Sequence, residues 1–204
     1  MLPSQATDAR RLKRLAILLV IGGALGLLAA ADLLIEKIAM LQDPFYVPSC
    51  SISAVLSCGS VMLSSASEAF GFPNPIIGLV AFPVVITTGV VLLAGAELPR
   101  WYWRGLQVGV TFGVVFVHWL IFQTLYRIGA LCPYCMVVWL VTIPIFLFVT
   151  LRNFAAGAIP APGPFGPAVT VLDEYRGVIL TVWYIVILAA AALRFRDDWA
   201  SVLP

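Results

Sequence analysis

The stretch PIIGLVAFPVVITTGVVLLAG, residues 75–95, contains no charged side chain. An α-helix rises about 1.5 Å per residue, so about 20 apolar residues cross the hydrocarbon core of a bilayer. In lipid, the backbone polar groups of a spanning segment must bond within that segment, which a lone strand cannot achieve. Residues 75–95 therefore predict a membrane-spanning helix, which Pro83 is expected to kink.

Four further stretches of the chain have the same apolar character. They run from about Leu15 to Leu34, from Leu106 to Tyr126, from Cys132 to Leu151 and from Val178 to Leu193. Hydrophobic residues make up 62% of the chain and charged residues 11%, with a mean hydropathy of +1.03. A soluble domain could not keep so much apolar surface from water. The sequence predicts an all-α membrane protein with five transmembrane helices. The net charge of +2 is too small to suggest a nucleic-acid partner.

The basic residues favour one orientation in the membrane. With the N-terminus in the cytoplasm, eight lysines and arginines lie inside and four lie outside, as the positive-inside rule prefers. The inner residues are Arg10, Arg11, Lys13, Arg14, Arg100, Arg104, Arg152 and Arg176, and the outer ones are Lys37, Arg127, Arg194 and Arg196. We expect a multi-pass membrane protein with a cytoplasmic N-terminus.

This orientation divides the chain into parts. Residues 1–14 form a cytoplasmic tail, 15–152 a transmembrane bundle with an outer loop at 35–74, 153–177 a cytoplasmic Pro/Gly linker, and 178–204 the fifth helix with an outer tail. Alternatively, the first apolar stretch is a cleaved signal peptide, because Ala29-Ala30-Ala31 resembles a cleavage site. The stretch is longer than the usual apolar core of about 7–15 residues, which favours a membrane span.

All four cysteines lie on the predicted outer side, where disulfides persist. Cys132-Pro133-Tyr134-Cys135 is a CxxC motif at the start of the fourth span, and Pro133 suits the first turn of a helix. The helix N-terminus favours a thiolate at Cys132, while Cys135 lies one turn deeper. Trp139 is four residues beyond Cys135, on the same helix face, where its ring could stack on a planar quinone. The motif therefore predicts a redox-active pair beside a lipid-soluble oxidant.

Cys50 and Cys58 form a second pair, in the predicted outer loop. A loop dithiol can exchange with a soluble partner and then with the membrane pair. One alternative is a structural membrane protein whose loop is stapled by inert disulfides. Another is a metal-binding sensor or transporter with a four-cysteine zinc site. Zinc fits an oxidising face poorly, so we expect no metal ligand among the four cysteines.

Three elements together resemble the bacterial homologues of vitamin K epoxide reductase (VKOR). They are Cys50-x7-Cys58-Gly59-Ser60-Val61, then Gly71-Phe72-Pro73-Asn74-Pro75 leading into Ile77-Gly78, and then Cys132-Pro133-Tyr134-Cys135. The resemblance runs from about Leu25 to about Thr150. It is closest to the actinobacterial form, which has a fifth helix and no fused thioredoxin domain.

The resemblance implies a four-helix bundle around a quinone, either menaquinone or ubiquinone, with the fifth helix outside. It implies that a separate DsbA-like thioredoxin-fold protein is reoxidised, which supports disulfide formation in exported proteins. Cys50 and Cys58 would take electrons from that partner, Cys132 would exchange with them, and Cys135 would react with the quinone. Asn74 matches the family asparagine that hydrogen-bonds a quinone carbonyl.

The sequence departs from the family pattern at two positions. Ser51 stands where aspartate is common in the family, and Trp139 stands where vertebrate members have tyrosine. Tryptophan keeps an aromatic ring but lacks the phenolic hydroxyl, so a hydrogen bond to substrate from this position is not expected.

The sequence also predicts a role or an environment for several other residues. His118, inside the third span, is a candidate proton relay; alternatively, it hydrogen-bonds a neighbouring helix. Glycines at four-residue spacing predict close helix packing, namely Gly22 and Gly26 on the first helix and Gly105, Gly109 and Gly113 on the third. Asp32, Glu36 and Lys37 are expected to be solvated at the outer interface.

Overall fold

The computed structural model describes residues 3–53, 55–159 and 166–196, and this part of the chain is predominantly helical. Five helices are long and apolar enough to cross a membrane, spanning Ala9–Gln42, Pro75–Leu93, Arg100–Ile128, Pro133–Ala155 and Arg176–Arg194. Each of the five predicted spans overlaps one of them, and only the predicted second and fourth spans extend beyond the helix, by two residues and one residue. The predicted all-α membrane protein is therefore confirmed.

The helices are, in chain order, α1 Pro3–Gln42, α2 Cys58–Met62, α3 Pro75–Leu93, α4 Arg100–Gln123, α5 Pro133–Ala155, α6 Gly166–Glu174 and α7 Arg176–Arg194. A short 3₁₀ turn covers Ser65–Glu68, and a π turn, Thr124–Ile128, extends α4. Gly129 follows the π turn with φ of 73°, a backbone conformation that glycine adopts without strain. Pro83 and Pro144 lie inside helices that continue through them.

The first four long helices form a bundle that is closed on three sides. Helix α1 packs along α3 and α5, and α4 packs along α5, whereas α3 and α4 have no comparable close packing. Helix α7 lies outside this bundle, against α5 and the π turn, and none of its residues is buried. The arrangement leaves a gap between α3 and α4.

The structure moves several predicted boundaries. Helix α1 reaches Gln42, so the connection that the sequence predicts to be outer spans residues 43–74 and not 35–74, and helix also covers described residues of the predicted N-terminal tail. Helix α5 continues to Ala155, and α6 occupies the second half of the predicted linker. The predicted outer tail at residues 197–204 lies outside the described residues.

The glycines divide into two groups with opposite surroundings. A Cβ added at Gly26 would collide with the Phe82 ring, and one added at Gly23 would lie 2.7 Å from Ile86 Cγ1. At Gly22 it would lie 3.2 Å from Ile145 Cδ1, so the predicted close packing on α1 is confirmed. At Gly105 and Gly109 it would meet nothing within 4 Å, so close packing there was a wrong prediction. These two residues of α4 line a cavity instead.

Candidate active site

The four cysteines meet at one end of the bundle. Cys50 and Cys58 form a disulfide, and Cys132 and Cys135 are free thiols. The Sγ atoms of Cys58 and Cys132 lie 3.2 Å apart, although 74 residues separate them in the chain. Cys58 and Cys132 are fully buried, and Cys50 is 6% exposed. The loop pair and the CxxC pair therefore adjoin through Cys58 and Cys132.

A short backbone pairing brings these two cysteines together. Leu56 and Leu131 form a parallel β-bridge, in which Leu131 N–H donates to Val55 O (2.6 Å) and Ser57 N–H donates to Leu131 O (2.9 Å). Each bridge residue is followed closely by a cysteine, so the pairing aligns Cys58 with Cys132. Ser57 Oγ also accepts from Ser60 N–H and so caps α2 at its first turn.

The sulfur of Cys132 occupies the N-cap position of α5. It accepts a hydrogen bond from the backbone N–H of Cys135 at 3.4 Å. The pKa of the Cys132 thiol is lowered, chiefly by a hydrogen bond from the Cys135 side chain and also by the backbone N–H groups of Cys135 and Tyr134, while burial opposes the shift. The thiolate that the sequence predicts at Cys132 thus has a physical basis here.

The C-terminal end of α1 holds both flanks of the cysteine loop. Ser49 Oγ and N–H donate to Glu36 Oε1, at 2.5 and 3.3 Å, directly before Cys50. Lys37 Nζ donates to Met62 O at 2.6 Å and pairs with Glu68 at 3.0 Å, beyond Cys58. Glu36 and Lys37 are 8% and 7% exposed, so the prediction that they are solvated was wrong.

These contacts explain why α1 extends beyond its apolar run. A buried charge is costly unless it is paired and hydrogen-bonded, and the loop supplies partners for both side chains. Glu36 also raises the pKa of Tyr46, chiefly through a side-chain hydrogen bond. The signal for these residues was present in the sequence, as a charged pair at the end of an apolar helix next to a cysteine loop.

The hydroxyl of Ser51 forms a hydrogen bond across the cysteine loop. It accepts a hydrogen bond from Gly59 N–H at 3.2 Å, next to Cys58. The residue that departs from the family pattern therefore links the segment after Cys50 to the start of α2.

An apolar cavity of about 540 Å³ lies below the cysteines, among α1, α3, α4 and α5. Its wall includes Cys135, Trp139 and Asn74 near the cysteine end, and Tyr102 and Gly105 near the other end. Ligand pockets commonly have volumes of about 300–1,000 Å³ and apolar walls with a few polar groups. The cavity therefore fits a quinone ring with part of a prenyl tail, and the residues predicted to bind the quinone all belong to its wall.

Asn74 has a structural bond at each end of its amide. Its Oδ1 accepts from Ala69 N–H at 3.1 Å, and its Nδ2 donates to Ala66 O at 2.7 Å. These bonds fix the turn that leads into α3. An amide nitrogen carries two hydrogens, so one remains for a ligand in the cavity.

Trp139 is 6% exposed and joins the cavity to a hydrophobic cluster under the loop. The cluster contains Val55, Val117, Ile121, Leu125, Leu131, Trp139 and Phe195. Phe195 was not predicted to belong to the site, because an aromatic residue directly after the last apolar run is typical of the membrane interface. Its burial ties the end of α7 to the cysteine end of the bundle.

His118 has partners that account for both ring nitrogens. Trp183 Nε1–H donates to His118 Nε2 at 2.8 Å, so Nδ1 carries the proton and donates to Val114 O at 2.7 Å. The side chain faces α7 and is absent from the described cavity wall. The geometry therefore matches the alternative that His118 hydrogen-bonds a neighbouring helix, here α7, and does not support a proton relay.

The arrangement of possible metal ligands tests the alternative of a four-cysteine zinc site. Within residues 3–53, 55–159 and 166–196, no group of three or more His, Cys, Asp or Glu side chains is arranged to hold a metal ion. The geometry therefore gives that alternative no support.

Fold and site together define a helical membrane protein in which two adjoining cysteine pairs stand over an apolar cavity. The sequence profile of the Vitamin K epoxide reductase family matches residues 17–150, more than half of the chain, and the chain belongs to that family. The family makes it a membrane thiol–disulfide oxidoreductase. Helix α7 lies beyond the matched residues. No curated protein sequence matches the chain.

Proposed function

We propose that this chain oxidises an extracytoplasmic, DsbA-like thioredoxin-fold protein and passes the electrons to a membrane quinone, menaquinone or ubiquinone. The contact of 3.2 Å between the sulfurs of Cys58 and Cys132 carries this proposal, because it joins a loop disulfide to a thiol pair beside an apolar cavity. The proposed orientation places the cysteine end outside and the N-terminus in the cytoplasm.

In the proposed cycle, the CxxC pair is first oxidised to a disulfide. A quinone in the cavity would supply the acceptor for the two electrons and two protons released. Cys135 lines the cavity and is the thiol that would meet this acceptor. The remaining hydrogen of Asn74 Nδ2 would bond a carbonyl oxygen, and Trp139 would form the wall beside the ring.

The partner's thiolate then attacks the loop disulfide at Cys50, and Cys58 leaves as a thiolate. We assign the partner's attack to Cys50 because Cys58 is fully buried against Cys132, whereas Cys50 is 6% exposed. The second partner thiolate resolves the mixed disulfide, which releases an oxidised partner and leaves Cys50 reduced. Two electrons have now moved from the partner to the loop pair.

The loop pair is reoxidised by the CxxC pair across the short sulfur contact. The Cys58 thiolate attacks Cys132, the Cys132–Cys135 bond breaks, and Cys135 leaves on the cavity side. The Cys50 thiolate then attacks Cys58, restoring the loop disulfide and releasing Cys132. A thiol of lowered pKa leaves faster, so the environment of Cys132 favours this last step. The cycle returns to the pairing seen in the structure.

The first test is quinone reduction by purified, pre-reduced protein. Wild type should reduce a short-chain menaquinone or ubiquinone, and Cys135→Ser should abolish the reaction. Cys50→Ser should still reduce quinone when a small dithiol such as dithiothreitol feeds the CxxC pair, but should fail to oxidise a DsbA-like partner. A wild type that reduces no quinone would favour inert disulfides and refute the proposal.

A second test distinguishes the order of exchange. In Cys50→Ser protein, no Cys50 thiolate can release Cys132, so the Cys58–Cys132 disulfide should accumulate once the freed Cys135 thiol is blocked by alkylation, as peptide mass spectrometry would detect. The matched variant Cys58→Ser should not accumulate a Cys50–Cys132 disulfide. Equal accumulation of both would refute the assignment of Cys58 as the partner of Cys132.

A further inference from the structure

Four arginines surround a second cavity, at the end of the bundle opposite the cysteines. Arg10, Arg11 and Arg14 come from α1, and Arg176 begins α7. The cavity measures about 400 Å³, and each described residue lining it is an arginine. Guanidinium groups suit phosphate because their planar fork donates two parallel hydrogen bonds.

An acidic side chain holds part of this cluster in place. Asp173 accepts from Arg11 Nη1 at 2.6 Å and from Arg176 Nη1 at 2.7 Å, which brings the start of α7 to α1. Arg14 has no ion pair with a carboxylate in the described part of the chain. Arg11, Arg14 and Arg176 alone therefore bring more positive charge to the cavity than Asp173 offsets, a condition that attracts an anion.

The position of the cluster identifies the source of that anion. The apolar runs of α1 and α7 begin at about Leu15 and Val178, directly after these arginines, so the cluster lies where both helices would enter the bilayer. This depth is that of lipid headgroups, whichever way the protein faces. Basic pockets between transmembrane helices are known to bind anionic lipid headgroups. We infer that the four arginines bind the phosphate of an anionic phospholipid between the first and fifth helices.

The test compares lipid retention in native mass spectrometry of protein taken from vesicles of phosphatidylglycerol and phosphatidylcholine. Arg14→Gln should lower the preference for phosphatidylglycerol about tenfold, the effect of losing one hydrogen bond to a charged group. Arg14→Lys should restore part of it. Lys13→Gln and Arg100→Gln remove an exposed charge at the same end of the bundle without touching the cavity, and they should change the preference less than twofold.

Each outcome decides the inference. Equal losses in Arg14→Gln and the two controls would mean unspecific attraction and overturn the site. If inorganic phosphate at millimolar concentration displaces the retained lipid, the cavity takes free phosphate and the lipid assignment fails. Quinone reduction and the melting temperature, measured on the same samples, should not change in Arg14→Gln.

A second, independent observation concerns the other end of α7. Arg194 Nε–H donates to Leu125 O at 2.9 Å, within the π turn, and Phe195 is 1% exposed in the cluster with Val55, Leu131 and Trp139. Val55 and Leu131 share a backbone hydrogen bond within the Leu56–Leu131 pairing that aligns Cys58 with Cys132. The end of α7 thus supports the two segments whose alignment creates the sulfur contact.

We propose that Arg194 and Phe195 are positioning residues for exchange between Cys58 and Cys132, an inference that rests on the proposed function. Phe195→Ala should slow oxidation of the partner about tenfold while leaving quinone reduction driven by dithiothreitol within twofold of wild type. Arg194→Gln should do the same, and Arg194→Lys should recover part of the rate. Leu193→Ala, an exposed position on the same helix, serves as the matched control.

The split between the two assays separates positioning from stability. A parallel loss in both assays, following a lower melting temperature, would show a merely structural role and overturn the proposal. Unchanged oxidation of the partner in Phe195→Ala would overturn it as well. A wild type that is inactive in both assays would instead refute the proposed function.

Discussion

The seam between α1 and α3 and the cavity face of α4 are both lined by glycines, yet they have opposite surroundings. On the seam, a Cβ at Gly26 would collide with the Phe82 ring, and one at Gly89 would lie 2.7 Å from Ala16 O. On α4, Gly105 and Gly109 face open space. Four-residue spacing thus identifies a shared helix face, but it does not determine whether a helix or a cavity lies opposite.

The difference has a structural consequence for the bundle. Close approach of α1 and α3 fixes one wall of the cavity, while the gap between α3 and α4 leaves the opposite wall open. Phe82 belongs to both regions, since its ring packs over Gly26 and also lines the cavity. The tight seam therefore sets the shape of the space in which we propose that quinone binds.

The largest effect is expected from Gly26→Ala. The added methyl group cannot fit beside the Phe82 ring, so either the ring must leave its position on the seam or α1 and α3 must separate, and the free energy of unfolding should fall by about 2 kcal/mol. Chemical unfolding in mild detergent, followed by circular dichroism, measures this. Adding Phe82→Leu should recover part of the loss by removing the obstructing ring. If Gly26→Ala is as stable as wild type, the seam is not closed.

Gly109→Leu is expected to change the free energy of unfolding less than Gly26→Ala does. Its main effect should be on the KM for quinone. The leucine side chain would project into the cavity, so the KM for a prenylated quinone should rise at least about tenfold. The free energy of unfolding should change by less than about 1 kcal/mol, because no helix is displaced. Steady-state quinone reduction and detergent unfolding give both values. A loss of stability comparable with that of Gly26→Ala would show that α3 and α4 close on each other.

The sequence determines the fold more fully than the helix ends. The five spans follow from hydropathy, because the bilayer requires long apolar helices whatever their neighbours are. The end of α1 at Gln42 could not be predicted in this way. It depends on Ser49 and on the carbonyl of Met62, which provide partners for Glu36 and Lys37 from a distant part of the loop.

The candidate site was predicted in composition but not in arrangement. The CxxC motif and the second cysteine pair identify the residues, since their chemistry is local. That Cys58 and not Cys50 adjoins Cys132 depends on the pairing of Leu56 with Leu131, which the sequence of neither segment reveals. The contacts of Phe195 and His118 could not be predicted for the same reason, because the partners of each residue lie on helices that are distant in the chain.

The smallest effect is expected from Gly105→Ala, the open-face counterpart of Gly26→Ala. The new methyl group would meet nothing within 4 Å, and alanine favours helix over glycine by about 1 kcal/mol, so the free energy of unfolding should rise by up to that amount. The KM for quinone should stay within about twofold of wild type, because one methyl group removes little of the cavity. The same unfolding and turnover assays measure both quantities. A fall in stability would mean that Gly105 is covered in the membrane by a surface outside this chain, and the cavity face would then have to be regarded as a second packing seam.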